Sequence, residues 1–305
     1  MNDPRPGGNG QAQVPLLELR DVTKVFGGGR FGQREVVALK EFSLAFDANN
    51  PVIVAVVGES GSGKTTMARL LLGLEPPSTG AVLYKGGDLT RIAPRERKVF
   101  RRDVQAIFQD PFEVYNPFYK VDHVLTTPIA KFGLAKSRED ARRQIQQALH
   151  AVGLKPEETL GRFPHQLSGG QRQRTMVART LLLRPKVIVA DEPVSMIDAS
   201  LRVTVLQNLL QLKQQFGISL IYITHDLTTA YQISDHIIVL HRGEVVEQGD
   251  PEQIVKRPRH PYTKLLITSI PLPDPERQWG EVPPEIEELA EEAVTLGSVG
   301  PEVQP

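Results

Sequence analysis

The sequence predicts an α/β fold with a mainly parallel sheet, an antiparallel β subdomain and an inserted α-helical subdomain. Three observations lead to this prediction. Apolar runs typical of buried strands, at residues 52–57, 187–190 and 218–223, alternate with amphipathic helices, which is the pattern of parallel βαβ units. Residues 42–46 alternate apolar and polar side chains, which favours a half-exposed antiparallel strand. Residues from about 110 to 165 look helical and interrupt the strand-rich stretches.

Composition narrows the class of protein. With 305 residues, 40% of them hydrophobic, the chain can bury a sizeable core. Lys and Arg together number 36, as do Asp and Glu, so no overall charge favours nucleic acid. The chain has no cysteine, which excludes disulfides, thiol catalysis and cysteine-ligated metal centres. No apolar run approaches the roughly 18 residues of a membrane span, so we expect a cytoplasmic protein.

Changes in composition along the chain suggest its boundaries. Residues 1–15 are rich in Gly, Pro, Asn and Gln and lack the apolar segment of a secretory signal, so they predict a disordered leader. We expect the main domain at 16–258, with a helical subdomain at about 110–180. Residues 259–305 are predicted to be a C-terminal extension, which becomes a proline-rich and then acidic tail from about residue 272.

The first loop carries two aromatic residues. It follows a predicted strand at 16–20 and precedes predicted strand segments at 36–39 and 42–46, and it contains Phe26 and Phe31 among glycines. Either ring could stack on an adenine base. The spacing alone is equally compatible with a core phenylalanine at the edge of a loop.

A glycine-rich loop after the strand at 52–57 fits the pattern G-x-x-x-x-G-K-[ST] at every defined position. Its glycines let backbone N–H groups turn inward around a phosphate, and the following helix adds its positive dipole end. Lys64 would reach the β- and γ-phosphates, and the Thr65 hydroxyl would hold Mg²⁺. A plain glycine turn is the alternative, but the flanking elements favour a P-loop NTPase core that binds a nucleoside triphosphate. The expected binding residues are Gly58, Ser60, Gly61, Ser62, Gly63, Lys64, Thr65 and Thr66.

The stretch after this loop ends in a cluster of aromatic residues. A strand is predicted at 81–84, a basic and solvated helix face at 91–102, and a strand at 104–108 that ends at Gln109. Gln109 could bind the metal or the attacking water. Residues 112–119 then hold four aromatic side chains without strand or helix periodicity, which indicates either a binding loop or a small apolar cluster beneath a loop.

A second glycine turn follows a helix that Ser137 is predicted to cap and Gly153 to end. The turn lies at the N-terminus of another helix, so it is a second potential phosphate site, although it carries no lysine. Two phosphate sites on one chain make sense if two chains pair head to tail and each completes the other's site. The residues of this turn are Leu167, Ser168, Gly169, Gly170 and Gln171.

Acidic residues follow the buried strand at 187–190. Ligands of parallel sheets bind beyond the carboxyl ends of the strands. Asp191 is therefore expected to hold Mg²⁺, and Glu192 to orient or deprotonate an attacking water. An acidic helix cap is the alternative interpretation. His225 ends another core strand, so it should lie at the same edge, within reach of a γ-phosphate.

At this point the chain resembles an ATP-binding-cassette protein over residues 16–271. The glycine loop resembles the Walker A motif, Gln109 the Q-loop, and the second glycine turn the signature motif. Residues 187–192 resemble the Walker B strand and His225 the switch histidine. Asp198 resembles the D-loop aspartate, although Met-Ile precedes it where Ala-Leu is commoner. Phe26 is the favoured adenine-stacking aromatic, with Phe31 as the alternative.

Further motifs are similar to those of the ATPase subunits of oligopeptide and dipeptide importers. They are Phe-Gln-Asp-Pro at 108–111, Asn-Pro at 116–117 and His-Pro-Tyr-Thr at 260–263. Some members of this branch carry a cysteine-ligated iron–sulfur centre, which this chain cannot hold. The resemblance implies Glu192, His225, Lys64 and Gln109 as catalytic residues. It also implies ATP and Mg²⁺ as cofactors, with Thr65, Gln109 and Asp191 around the metal.

The resemblance implies partners as well. Two ATPase subunits, the same or related chains, would sandwich two ATP molecules between Walker A loops and opposing signature turns. They would act at the cytoplasmic face of the cell membrane on two membrane-spanning permease subunits, docked near residues 109–119, and indirectly on a solute-binding protein. The alternatives are oligosaccharides or nickel as cargo, a soluble cassette ATPase that acts on DNA or ribosomes, and a P-loop kinase. No nucleic-acid partner is expected.

Overall fold

The computed structural model describes residues 14–27, 35–108, 115–195 and 199–269, with the backbone alone at 199–201. The strands are β1 Leu17–Phe26, β2 Val36–Phe46, β3 Ile53–Val57, β4 Thr79–Tyr84, β5 Gly87–Asp88, β6 Val104–Ile107, β7 Val187–Asp191, β8 Ser219–Thr224, β9 His236–His241 and β10 Glu244–Gly249. The helices are α1 Lys64–Leu71, α2 Pro94–Asp103, α3 Asp122–Phe132, α4 Arg138–Ala151, α5 Pro156–Thr159, α6 Gly169–Leu182, α7 Ala199–Phe216, α8 Leu227–Ile233, α9 Pro251–Lys256 and α10 Pro261–Thr268, with a 3₁₀ turn at Pro164–Gln166.

Six strands form the central sheet in the order β10-β9-β3-β8-β7-β6, parallel except for the β9–β10 pair. Every residue of β3 is buried, as expected for a strand with elements on both faces. Its side chains alternate between two cores. Ile53, Ala55 and Val57 belong to the core that includes α4 and α7, whereas Val54 and Val56 belong to the core that includes α1 and the antiparallel sheet.

Four strands form the predicted antiparallel sheet, in the order β2-β1-β4-β5. The two strand segments expected at 36–39 and 42–46 belong to one strand, β2. This strand is irregular at Glu41, where the backbone takes a left-handed φ of 47°. The Glu41 N–H there donates to Thr23 Oγ1 at 3.0 Å rather than to the ladder. This sheet packs through Leu39 and Phe42 on the side of the central sheet that carries α1.

Helices α3 to α6 lie between β6 and β7 in the chain. The predicted cap of α4 is present, since Ser137 Oγ accepts a hydrogen bond from the Asp140 N–H at 3.1 Å. Gly153 follows α4 with a φ of 68°, a conformation that glycine adopts without strain. The apolar face of α4, including Ile145 and Leu149, packs in the same core as Val177 of α6.

β9 and β10 form a hairpin, and its two-residue turn is Arg242-Gly243. Both residues have positive φ, 49° and 85°, which is the geometry that matches the twist of the flanking strands. In the part of the chain that the structure describes, no helix is long and apolar enough to cross a membrane. The predicted tail lies outside the described residues, as does the predicted leader apart from residues 14 and 15.

Candidate nucleotide-binding site

The glycine loop wraps around the side chain of Lys64, the first residue of α1. The Lys64 Nζ donates to the carbonyl oxygens of Gly58 at 2.7 Å and Glu59 at 2.6 Å. The side chain is buried, and this burial lowers its pKa, while the charges of Glu192, Asp191 and Glu59 oppose the shift. The chain thus holds a buried ammonium group at the start of a helix, where an anion is favoured.

Two glycines of the loop are required by close backbone contacts. A Cβ on Gly58 would lie 2.1 Å from the Leu240 carbonyl oxygen of β9, and one on Gly63 would lie 2.3 Å from the Ala38 carbonyl oxygen of β2. Gly63 also has a φ of 105°, which other residues rarely adopt. The loop is therefore wedged between the two sheets, and its position is fixed by the fold.

A cavity of about 460 Å³ opens over this loop. Its walls combine the loop with apolar residues of β2, two carboxylates and a residue of the β9–β10 turn. The lining residues are Val36, Val37, Ala38, Ser60, Gly61, Gly63, Lys64, Thr65, Thr66, Asp191, Glu192 and Arg242. The structure therefore brings the predicted residues of the glycine loop together with both predicted carboxylates.

Asp191 and Glu192 reach the cavity from the carboxyl end of β7. Burial raises the pKa of Asp191, the Glu192 charge raises it further, and Lys64 and Arg69 oppose the shift. Glu192 has a left-handed φ of 44°, and its N–H donates to the Ile223 carbonyl of the neighbouring strand at 2.9 Å. A left-handed non-glycine residue costs roughly 1–3 kcal/mol, and such strain often occurs at functional sites. This backbone turn directs the Glu192 side chain to the cavity.

His225 lies one residue beyond β8 at the same edge of the sheet. Its Nδ1 is 3.1 Å from Glu192 Oε1, so an Nδ1–H tautomer donates to that carboxylate. Its side chain is 60% exposed, which leaves the other ring nitrogen accessible. The structure thus places His225 beside Glu192, at the edge where the sequence predicts it.

Phe26 ends β1 opposite Val36, which lines the cavity. The Phe26 ring is 38% exposed and lies under the Lys24 ammonium, 4.9 Å from the ring centroid. It is thus at the rim of the cavity rather than in the core. Phe31, Gln109 and Asp198 lie outside the described residues, as do residues 112–114 of the aromatic segment.

The second glycine turn begins α6, and none of its five residues lines the cavity over Lys64 in the described part of the chain. Ser168 and Gln171 form a capping box: Ser168 Oγ accepts from the Gln171 N–H at 3.2 Å, and Gln171 Oε1 accepts from the Ser168 N–H at 2.9 Å. Leu167 anchors the turn in a small apolar cluster with Tyr115 and Met176, whereas Ser168 is exposed. Tyr115 is therefore a cluster residue, whereas Phe118 and Tyr119 do not belong to the cluster.

Phe118, 87% exposed, and Tyr119, 51% exposed, remain on the surface. A groove of about 760 Å³ lies between α2, β6 and α3, the elements that precede and follow the aromatic segment in the chain. The half-exposed Phe108 is part of its lining. The charged residues that line this groove are all basic: Arg97, Lys98, Arg101, Lys131 and Arg179. The basic helix predicted at 91–102 corresponds to α2. Phe100 is its buried residue, and one side of the helix faces this groove.

Sequence reasoning missed two parts of the site, Arg242 and Tyr262. Arg242 reaches the cavity because the β9–β10 turn lies on the glycine loop, where the Gly243 N–H donates to the Ser62 carbonyl at 2.9 Å. The Tyr262 hydroxyl accepts a hydrogen bond from the Glu59 N–H at 2.9 Å. No local signal could reveal either contact, because each joins residues about 180 to 200 positions apart through the sheet order.

Two family profiles and several known proteins match this chain. A profile described as ABC transporter matches residues 40–195, and one described as oligopeptide/dipeptide transporter, C-terminal region, matches residues 246–297. The chain is 39% identical over 266 residues to the dipeptide transport ATP-binding protein DppF of Escherichia coli (strain K12), which covers 87% of this chain and 79% of DppF. It is also 39% identical over 266 residues to the oligopeptide transport ATP-binding protein OppF of Streptococcus pyogenes serotype M1, covering 86% of this chain and 85% of OppF.

A solved structure adds a comparison of folds. The dimeric post-hydrolysis structure of the ATP-binding cassette MJ0796 bound to ADP and Pi has a TM-score of 0.66 at 30% identity. The match covers 77% of this chain and 99% of that one. The predicted α/β P-loop NTPase fold is thereby confirmed.

Proposed function

Since this chain belongs to the ABC transporter family, we propose that it is the ATP-hydrolysing subunit of an importer of oligopeptides or dipeptides. The resemblance inferred from the motifs is confirmed by the family match. One observation carries the choice of cargo: the match to the C-terminal region of oligopeptide/dipeptide transporters, on a chain that is 39% identical to DppF and OppF. The proposed location is the cytoplasmic face of the cell membrane, as a peripheral subunit.

ATP is proposed to bind in the cavity over the glycine loop. The buried Lys64 ammonium and the N–H groups of the loop would receive the β- and γ-phosphates, and the exposed Thr65 and the partly buried Thr66 line the same space. The apolar side chains of Val36 and Val37, both exposed at the rim, supply a surface for the base, with Phe26 beside them. These features support nucleotide binding along the whole cavity.

Thr65 and Asp191 are proposed to hold Mg²⁺, together with Gln109, which lies outside the described residues. Their hydroxyl and carboxylate oxygens are the hard ligands that this ion prefers. Burial raises the pKa of Asp191, and the charge of Glu192 raises it further. A cation bound beside these carboxylates would lower this pKa. The described residues contain no cluster of three or more metal-ligating side chains, which fits an ion completed by phosphates and water. When bound, Mg²⁺ would offset phosphate charge.

Glu192 is proposed as the general base that orients and deprotonates the attacking water, with His225 holding the γ-phosphate. The hydrogen bond between His225 and Glu192 fixes the carboxylate beside the cavity and leaves its second oxygen for the water. Lys64 would stabilise the charge that develops on the phosphate during the transfer. This arrangement would place the base, the cation and the histidine that holds the γ-phosphate at one edge of the sheet.

The turn from Leu167 to Gln171, in which Ser168 is exposed, is proposed to bind the nucleotide held by a second ATPase subunit, the same chain or a related one. This turn begins helix α6 but lies outside the cavity over Lys64. A phosphate bound at this helix N-terminus would therefore belong to a nucleotide held by another subunit, which supports the proposed role. Asp198, outside the described residues, is proposed to act at the same junction between subunits. The dimeric state of the MJ0796 cassette agrees with such pairing.

The groove lined by Phe108 and five basic side chains is proposed to receive a segment of one of the two membrane-spanning permease subunits, and the second ATPase subunit would receive the other. Exposed aromatic residues such as Phe118 mark a surface that gains stability when covered. A solute-binding protein would act on this subunit indirectly, through the permeases. The basic lining favours a partner segment that carries acidic as well as apolar side chains.

The proposed function can be tested by tagging the full-length chain in its native membrane and identifying what copurifies. Two multi-span membrane proteins are expected, with ATP turnover in proteoliposomes stimulated by a solute-binding protein loaded with peptide. Phe108→Asp should abolish copurification because Phe108 lines the groove, whereas Val203→Asp, at a similarly exposed apolar residue of α7 that does not line it, should not. Stimulation by duplex DNA, or only by a binding protein loaded with nickel or oligosaccharide, contradicts the proposal.

A further inference from the structure

The start of the C-terminal helix α10 is fastened to the edge of the central sheet. The two carboxylate oxygens of Glu247 on β10 accept hydrogen bonds from the N–H groups of Arg259 and His260, both at 3.0 Å. His260 in turn caps the helix, since its Nδ1 accepts from the Tyr262 N–H at 3.2 Å. These bonds fix where the first turn of α10 lies relative to β10.

Tyr262 projects from this first turn to the glycine loop. Its side chain is 2% exposed, and its ring packs on His241 at the end of β9, with the ring centroids 3.9 Å apart. Its hydroxyl accepts the hydrogen bond from the Glu59 N–H at 2.9 Å. Burial raises the pKa of Tyr262 to about 12, so the phenol is neutral at physiological pH.

The peptide unit between Gly58 and Glu59 is consequently held from both sides. Its N–H donates to Tyr262, and its carbonyl oxygen accepts from the Lys64 Nζ at 2.7 Å. Because a trans peptide is planar, these two groups point in opposite directions and turn together. A rotation of this peptide would break both bonds and would remove one of the two carbonyl contacts that hold the ammonium group in the loop, leaving the contact to the Glu59 carbonyl oxygen.

We propose that Tyr262 is a positioning residue for the nucleotide site: its hydroxyl fixes the Gly58–Glu59 peptide, and through this peptide it fixes Lys64 for phosphate binding. The inference rests on the proposed binding of ATP in this cavity. It gives the C-terminal region a role in nucleotide affinity that is separate from any contact with permease or cargo. Tyr262 itself need not touch the nucleotide.

Tyr262→Phe removes the hydroxyl and keeps the ring on His241. The dissociation constant of a fluorescent mant-ATP is expected to rise about 3- to 10-fold in the full-length variant, the scale of one hydrogen bond. Amide exchange at Glu59 should accelerate in parallel. The matched control is Tyr84→Phe, which removes the hydroxyl that donates to Asp103 Oδ2 at 2.6 Å from an equally buried tyrosine of the antiparallel sheet. Its mant-ATP affinity should change less than about twofold.

The outcomes separate the two proposals. If wild type and Tyr262→Phe bind mant-ATP equally, the positioning role is wrong and the ATPase function stands. An equal loss of affinity in Tyr262→Phe and Tyr84→Phe also overturns the positioning role, since it indicates general destabilisation. If the wild-type chain binds no mant-ATP, both proposals fail.

A second variant covers the case in which Tyr262→Phe folds poorly. Glu247→Gln weakens the attachment of α10 without altering the loop or the tyrosine, and it should raise the dissociation constant of mant-ATP by about twofold or more. Unchanged affinity in a folded Glu247→Gln protein contradicts the proposal, because the helix would then be positioned without consequence for the loop.

Discussion

The two glycine turns of this chain both begin a helix, but they are built differently. Gly63 caps α1 with no side-chain hydrogen bond, and the buried Lys64 ammonium stands at the same point. Ser168 caps α6 through a reciprocal pair of bonds with Gln171, with no cation in the turn. The first turn leaves its N–H groups for a ligand and supplies charge; the second satisfies part of its own N–H groups and stays at the surface.

The difference indicates a division of labour. The turn with Lys64 is enclosed by two sheets and two carboxylates, so this chain builds that half of the site unaided. The turn with Ser168 is held by Leu167 in a small cluster while Ser168 is exposed, so the nucleotide proposed to bind there would come from another subunit. Charge and catalysis should therefore depend on the first turn, and assembly on the second.

The largest expected effect concerns Glu192, the carboxylate beside the first turn that is proposed to be catalytic. Glu192→Gln keeps the size of the side chain but removes its basicity, so steady-state ATP hydrolysis should fall about 10²- to 10⁴-fold. The affinity for mant-ATP should stay within about twofold. Glu252→Gln, an exposed glutamate of α9 paired with Lys256, serves as the control and should keep full turnover. Unchanged turnover in Glu192→Gln removes this residue from the mechanism.

An intermediate effect is expected at the second turn. Ser168→Ala removes a hydroxyl proposed to face the partner's nucleotide, so hydrolysis by the assembled dimer should fall roughly 10- to 100-fold, the scale of a hydrogen bond to a charged group. The affinity of the monomer for mant-ATP should not change.

The matched control for Ser168 is Ser137→Ala. Ser137 caps α4 with the same kind of bond, so both variants should lose about 1 kcal/mol of unfolding free energy. Only Ser168→Ala should lose activity. Equal activity in the two variants would mean that the second turn is merely a helix cap.

The smallest expected effect concerns Asp191 and tests whether its carboxylate destabilises the nucleotide-free protein. Because burial and Glu192 raise the pKa of Asp191, its ionisation destabilises the folded chain as the pH rises through that pKa. Asp191→Asn should therefore raise the Tm of the nucleotide-free protein by about 1–3 °C at pH 8 and by less towards pH 4. It should also weaken binding of mant-ATP in Mg²⁺.

The opposite sign is expected at Asp88. Hydrogen bonds from the Thr90 side chain and backbone lower the pKa of Asp88, so its ionised form stabilises the fold above its unfolded-state pKa. Asp88→Asn should lower the Tm at pH 8 and have less effect as the pH falls. For Asp191→Asn, a decrease of Tm instead of the expected increase would contradict the prediction, because it would show that the Asp191 carboxylate stabilises the nucleotide-free protein.

Local patterns predicted much of the fold and of the first half of the site. The cap at Ser137 and the helix end at Gly153 follow from residue types within a few positions, and so does the position of Lys64 in its loop. The shared edge of Asp191 and His225 follows from a general property of parallel sheets.

Long-range contacts could not be predicted in this way. The order of the six strands, the left-handed backbone of Glu192 and the bond from Glu59 to Tyr262 depend on pairings between distant segments. Period and spacing report only which side of an element is apolar, so several pairings remain equally compatible with one sequence.

The position of β3 has a consequence for synthesis on the ribosome. This wholly apolar strand carries the glycine loop, yet both of its neighbours, β8 and β9, are encoded much later; Val52 and its partner Ser219 are 167 residues apart. At roughly 5–20 residues per second, Ile53–Val57 emerges about 8–33 s before it can pair. During that interval the nascent chain exposes an uncharged segment prone to aggregation, so folding yield should depend on elongation rate and on chaperones that shield this strand.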